Sequence, residues 1–191
     1  MSSFFRYAGA AALILSFGLF VQALPVLADV KIPVPSGTDV VSKALSNLVV
    51  DGKLEAKLKA LCAIKTLVEL KACLAIIVAL LKGCADELSK IGAGIIVDVE
   101  AQASIVACVY AIITLLVKVC LQISVKFSIT AVAALFAEID VCVRLLLVNL
   151  DICVVGILAL IVKACVSITL PILDSLKFDA CVALLASVGL N

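Results

Sequence analysis

Residues 53–84, KLEAKLKALCAIKTLVELKACLAIIVALLKGC, decide the fold. The stretch is built from Lys, Leu, Glu and Ala, residues that lose little freedom in a helix. Glu55 and Lys59, and Lys65 and Glu69, stand four apart, where they pair across one helical turn. The pattern predicts one helix from Lys53 to Leu81. Cys62, Cys73 and Cys84 recur every 11 residues along the quoted stretch. On an α-helix 11 residues make three turns plus about 20°, so the three thiols share a face. Asp51-Gly52 marks a turn before the stretch, and Gly83, Gly92 and Gly94 predict a turn or broken helix at 83–94 after it. A second long helix is expected from about Ile95 to Gln122.

If these two helices fold back antiparallel around a turn near residue 91, facing positions have numbers totalling about 182. Cys62 with Cys120, and Cys73 with Cys108, both meet that condition. Two disulfides would then rivet the hairpin at levels about 17 Å apart. Cys165 and Cys181 flank Pro171 and suit a third bridge in the same manner. Cys84, Cys142 and Cys153 remain, of which two can pair while one stays unpaired or bonds another chain. A competing scheme joins Cys108 to Cys142 around a turn near 125. The plainer alternative is that the cysteines are free and serve as small core hydrophobes.

On the C-terminal side, apolar residues are so dense that periodicity separates strand from helix poorly. Ile123–Ile129 alternates like a strand, yet Lys118, Gln122 and Lys126 step by four like a helical stripe. Length favours helices near 128–148, 152–169 and 172–187. On the N-terminal side, residues 29–52 read as an extended lead-in with Pro33, Pro35 and Gly37, then a short helix capped by Thr38 and running to about Leu48. Residues 1–28 read as a secretory signal peptide, with Arg6 in the n-region, an apolar run from Ala8 to Val21, and Val26-Leu27-Ala28 before the cleavage point. A retained signal anchor is the rival reading. The mature chain is thus expected to be all-α, with residues 53–191 a single antiparallel helical bundle stapled by disulfides, because a signal peptide directs thiols to an oxidising compartment.

Of the 191 residues, 65% are hydrophobic and only 15% charged, and there is no His and no Trp. A histidine base and a histidine metal ligand are thereby excluded. After removal of residues 1–28, Lys and Arg balance Asp and Glu at 14 each, which gives no steering toward nucleic acid. No phosphate loop, nucleophile elbow or zinc-ligand spacing occurs, so no cofactor and no metal are expected. The acidic neighbours Asp86/Glu87, Asp98/Glu100 and Glu138/Asp140 are too close in sequence to share a helix face, and the chain reads as a non-enzyme. Asp140 and Arg144 are expected to pair, and Asp151 to cap a helix. The charge is lopsided, with 18 charged residues in 29–100 and 10 in 101–191. The longest uncharged run of the mature chain, 101–117, is 17 residues, short for a membrane span. A bundle core is therefore favoured over an integral membrane protein. With so few charges to cover it, such a bundle leaves apolar patches outside, which imply a partner, a lipid or an interface.

A signal peptide ending in VLA, a polar first half, a very apolar second half and scattered single cysteines together resemble secreted cell-wall and extracellular-matrix proteins of mushroom-forming fungi. These promote aerial hyphae formation and attachment to hydrophobic surfaces. They are not hydrophobins, whose adjacent cysteine pairs have no counterpart here. The likeness rests on layout and carries no site residue across. It implies a non-enzymatic, surface-active protein that self-associates or binds wall components and hydrophobic surfaces. A secreted carrier of a lipid or sterol is the alternative, with disulfide-tied helices around an apolar cavity.

Overall fold

The computed structural model describes residues 30–165 and 170–189; the expected signal peptide lies outside the described residues. Among the described residues there are eight α-helices and no strand. They are α1 (Val40–Ser46), α2 (Leu54–Leu61), α3 (Leu67–Ile91), α4 (Val99–Phe127), α5 (Ile129–Cys153), α6 (Ile157–Cys165), α7 (Leu170–Ser175) and α8 (Asp179–Gly189), with one wide π-type turn, Asn47–Asp51, after α1. Lys31–Asn191 forms one packed unit.

Side-chain caps set the helix starts. Asp39 accepts from Ser42 N at 2.8 Å to open α1, a place the sequence gives to Thr38. Asp98 accepts from Ala101 N at 2.7 Å to open α4. Thr66 accepts from Glu69 N at the start of α3. That cap is why the single helix expected over 53–81 is two, broken at residues 62–66. The Glu55–Lys59 pair forms at 2.7 Å, while Lys65 falls in the break. Gly83 lies inside α3 and makes no turn there. The reversal comes at Gly92 and Gly94, whose φ of 87° and 78° suits glycine.

α3 buries one stripe, Leu70, Leu74, Ile77, Leu81, Cys84, Ala85 and Leu88, at helical spacing. The stripe packs chiefly on α5. Asn149 Nδ2 donates to Ala85 O at 2.8 Å and the Cys153 thiol to Leu88 O at 3.2 Å, so moving up α5 moves up α3 and the two helices run parallel. The antiparallel pair expected between α3 and the next helix is therefore corrected. α4 is a return stroke whose main contacts are with α2, α5 and α6, with α1 against both α3 and α4. By length and composition α4 is apolar enough to cross a membrane, and 72% of its most apolar window is buried among the other helices. It is this core role, with Ile105, Cys108, Ile112, Leu115, Leu116 and Val119 all inside, that lets it be greasy on every side.

The disulfide staple is the second correction. Cys62, Cys73, Cys84, Cys108, Cys120, Cys142, Cys153 and Cys181 are free thiols. The expected hairpin turn near residue 91 is centred near 95 in the fold, between Ile91 and Val99, and α3 does not lie along α4. Cys108 is buried inside α4, and Cys84, not Cys73, lies within its electrostatic reach. Cys181 is not bridged to Cys165; its thiol donates to Asp140 O at 3.5 Å. Cys84 likewise donates to Ala44 O. These buried cysteines act as small hydrophobes with a weak donor that ties one helix to another's carbonyl.

Candidate functional site: an apolar end of the bundle

The end of the bundle where α3 gives way to α4 and α5 gives way to α6 concentrates exposed apolar side chains. Two loops meet there because the backbone pairs across them: Gly94 N donates to Ile152 O at 3.4 Å and Ile95 N to Cys153 O at 2.7 Å. This pairing takes Ile95 out of the helix expected to begin with it and delays α4 until Asp98. Cys153 and Val154 stay buried, while four apolar side chains around this junction face outward. Ile96 is 96% exposed, Val99 82%, Val155 79% and Ile152 50%. Gly156, at φ 82°, lets α5 turn into α6 beside them.

The acids at this end serve their own backbone. Asp98 caps α4. Asp151, expected to cap a helix starting at 152, instead lies in the last turn of α5, which runs on to Cys153, and accepts from Leu158 N in the first turn of α6 at 3.1 Å. Neither is set up for proton transfer. Of the other acidic neighbours, Glu138 is exposed while Asp140 is buried, as a spacing of two on a helix demands. Asp140 reaches neither Glu138 nor, as expected from sequence, Arg144, which is exposed. Its two oxygens accept from Ala180 N at 2.7 Å and Cys181 N at 2.9 Å and cap α8 from a neighbouring helix. No three His, Cys, Asp or Glu side chains gather into a metal site among the described residues.

The thiols are chemically quiet. Burial pushes Cys84 and Cys108 up to about 12, and raises Cys120 and Cys181 further. Cys153 is raised by burial too. Cys142 is raised by burial, partly offset by Lys82. Cys62, half-buried at the end of α2, is raised by burial and pulled back by the Lys126 ammonium.

Two hollows bear on the carrier alternative. A cavity of about 10 Å³ under α7 and α8, lined by Ile113, Leu147, Phe178 and Leu185 among others, has room for one water and none for an acyl chain. A cleft of about 340 Å³ between the π-type turn and α3 is open to solvent, with Leu48, Leu80 and Gly83 in its walls and Asp51 and Glu87 among its lining residues. The sequence suggested where apolar surface would lie only in general terms. The GIIVDV and CVVG segments become a site because two N–H groups of the first cap the last carbonyls of α5, and no periodicity within either one signals that. The chain matches no protein-family model, no curated protein and no solved structure.

Proposed function

We propose that the chain is a non-enzymatic secreted protein that coats hydrophobic surfaces in the fungal cell wall and extracellular matrix, favouring aerial hyphae and attachment. The observation that carries this reading is the cluster Ile96, Val99, Ile152 and Val155, exposed together on two loops and the helix ends beside them, which backbone hydrogen bonds join. Weighting each side chain by its exposure, and taking about 2 kcal/mol for a fully buried Ile or Val, transfer of this cluster into an apolar phase is worth about 6 kcal/mol. That is enough for reversible adsorption and too little for permanent insertion. The absence of net charge in residues 29–191 leaves little repulsion between adsorbed copies. Localisation outside the cell rests on the reading of residues 1–28, and the wall setting on the resemblance in layout.

The test is surface tension of buffer, and the contact angle of coated graphite, with the natively secreted protein and with a variant carrying both Ile96→Asp and Val155→Asp. Both positions are exposed, so folding is spared and helicity by circular dichroism stays unchanged. Wild type is expected to lower the tension and wet the graphite, and the double variant to do neither. Equal activity of the two proteins refutes the assignment of the end loops. Inactivity of both refutes the surface-active reading.

A further inference from the structure

The cleft between the π-type turn and α3, about 340 Å³, has the volume of a small-ligand site. Small residues leave it open: Ala44 on α1, and Ala79 and Gly83 on α3. Gly83 is exposed, and a Cβ there meets nothing within 4 Å. The floor is apolar, made by buried Leu48, half-buried Leu80 and buried Cys84. Two contacts fix its direction. The Cys84 thiol donates to Ala44 O at 3.6 Å, and Gly52 sits so close to Leu80 that a Cβ on it would lie 3.2 Å from Leu80 Cδ2. α1 and the turn after it therefore run back along α3, which puts Asp51 at the Leu80 end of the cleft and Glu87 at the other end, beyond Cys84. Leu80 and Glu87 are seven residues apart, about 10 Å along the helix axis. Both carboxylates are exposed and line the cleft, and neither makes an ion pair or caps a helix, unlike Asp39, Asp98 and Asp140. Asn47 adds an exposed amide to the wall.

We propose that this cleft binds a linear aliphatic diammonium ion, its two charges on Asp51 and Glu87 and its methylene spacer on Leu48, Leu80 and the gap at Gly83. The charges are complementary at both ends, and the floor between them offers a spacer only apolar contact. Two ammonium groups at the separation of the carboxylates need an extended spacer of about six carbons. A monoammonium ion of the same length satisfies one end and leaves the other carboxylate unpaired. A neutral chain gains the floor alone. An acidic surface without the hollow would take any cation, whereas here the spacer contributes as well as the charges. Both carboxylates face water, so their share of the binding is screened and falls as salt is raised.

The experiment titrates the isotope-labelled, natively folded secreted protein at low salt and neutral pH with hexamethylenediamine, hexylamine and hexanediol, and follows backbone amide shifts by NMR. The diamine is expected to move the amides of 47–52 and 79–87 together and saturably, with a Kd on the order of 1 mM for so small a ligand. Hexylamine is expected to bind about three- to fivefold more weakly, and the diol more weakly still. Asp51→Asn and Glu87→Gln, both at exposed positions, each bring the diamine down to the hexylamine level, and the double variant erases the difference among the three probes. Gly83→Leu fills the gap and abolishes binding with helicity unchanged. Equal affinity of diamine and diol means an apolar hollow only, and magnesium chloride moving the same amides as strongly as the diamine means a pair of charges only; either result overturns the proposal. So does a diamine that moves no amide of the cleft at about ten times that concentration, or one that binds both carboxylate variants as tightly as wild type.

Discussion

Replacing Asp140 with alanine is expected to release the C-terminal helix. The carboxylate is 4% exposed and spends both oxygens on the first turn of α8, at 2.7 Å to Ala180 N and 2.9 Å to Cys181 N. A capping side chain is worth about 1–2 kcal/mol at a helix start. Here the cap is charged, makes two bonds, and faces the positive end of the helix dipole from within the protein, where each such effect is larger. Loss of two charge-assisted bonds, with the Cys181 N–H left buried and the Ala180 N–H partly so, amounts to about 3–4 kcal/mol. For a chain of this size that is a fall of about 10 °C in Tm. Asp140→Asn keeps one acceptor and turns an amide donor toward the other N–H, for a loss of about 2 kcal/mol.

The decisive assay is native-state hydrogen exchange followed by mass spectrometry. α8 packs on α5, where Phe178 meets Phe136 with ring centroids 6.2 Å apart, and its further contacts are with the short α6 and α7. It is therefore expected to open as a local unit before the α3–α5 pair does. In the alanine variant the amides of 180–188 lose protection by at least about a hundredfold, which is what 3 kcal/mol permits, while those of 70–88 keep theirs. A loss below about 1 kcal/mol, or uniform loss across the chain, refutes the view that this carboxylate is the anchor of the last helix.

Three further perturbations test the local reasoning. Gly83 is exposed inside α3, and a Cβ there meets nothing within 4 Å, so Gly83→Ala is expected to stabilise by about 0.8 kcal/mol in urea unfolding. Gly52→Ala is expected to destabilise by more than 1 kcal/mol, because its Cβ would lie 2.5 Å from Leu48 O. Glu55 is held below its usual carboxylate range by its bond to Lys59 Nζ, helped by Ile32 N. A lowered carboxylate stabilises above its unfolded pKa and loses that contribution as pH falls through its folded one, so wild type weakens from about pH 5 downward. Glu55→Gln is expected to flatten that part of the Tm–pH curve, and an unchanged slope refutes the assignment.

How far the sequence reads depends on which signal is local. The helical class, the reversal at Gly92-Ala93-Gly94 and the Glu55–Lys59 pair follow from propensity and four-residue spacing, which tertiary context leaves alone here. The break before α3 was also written, as Thr66-Leu67-Val68-Glu69, a start signal with Thr and Glu three apart, but it is hidden inside a run of helix formers. Register was not legible. The sequence places the hairpin turn four residues early, and nothing within α3 says that its stripe will choose α5 over α4. Asp140 illustrates the same limit: its spacing to Arg144 is right for a pair, but burial hands it to backbone groups 40 residues away. The apolar end likewise depends on two segments 58 residues apart meeting through their main chains.

That dependence bears on how the protein holds its shape at an interface. A bundle in which Cys62, Cys84, Cys108, Cys120 and Cys181 are free thiols resists spreading through burial and capping, and an apolar surface competes directly for the buried side chains. Adsorption through the end loops leaves α3, α4 and α5 intact, whereas spreading spills α4, whose faces are apolar nearly all round. Burial of the α3 stripe on α5 and of α4 among the other helices is what opposes spreading. Circular dichroism of protein bound to index-matched fluoropolymer particles reads which mode prevails. Helicity is expected to persist through hours of contact, because adsorption through the end loops leaves this packing in place. Loss of helicity on the particles means that adsorption proceeds by unfolding and that the end loops are not its vehicle.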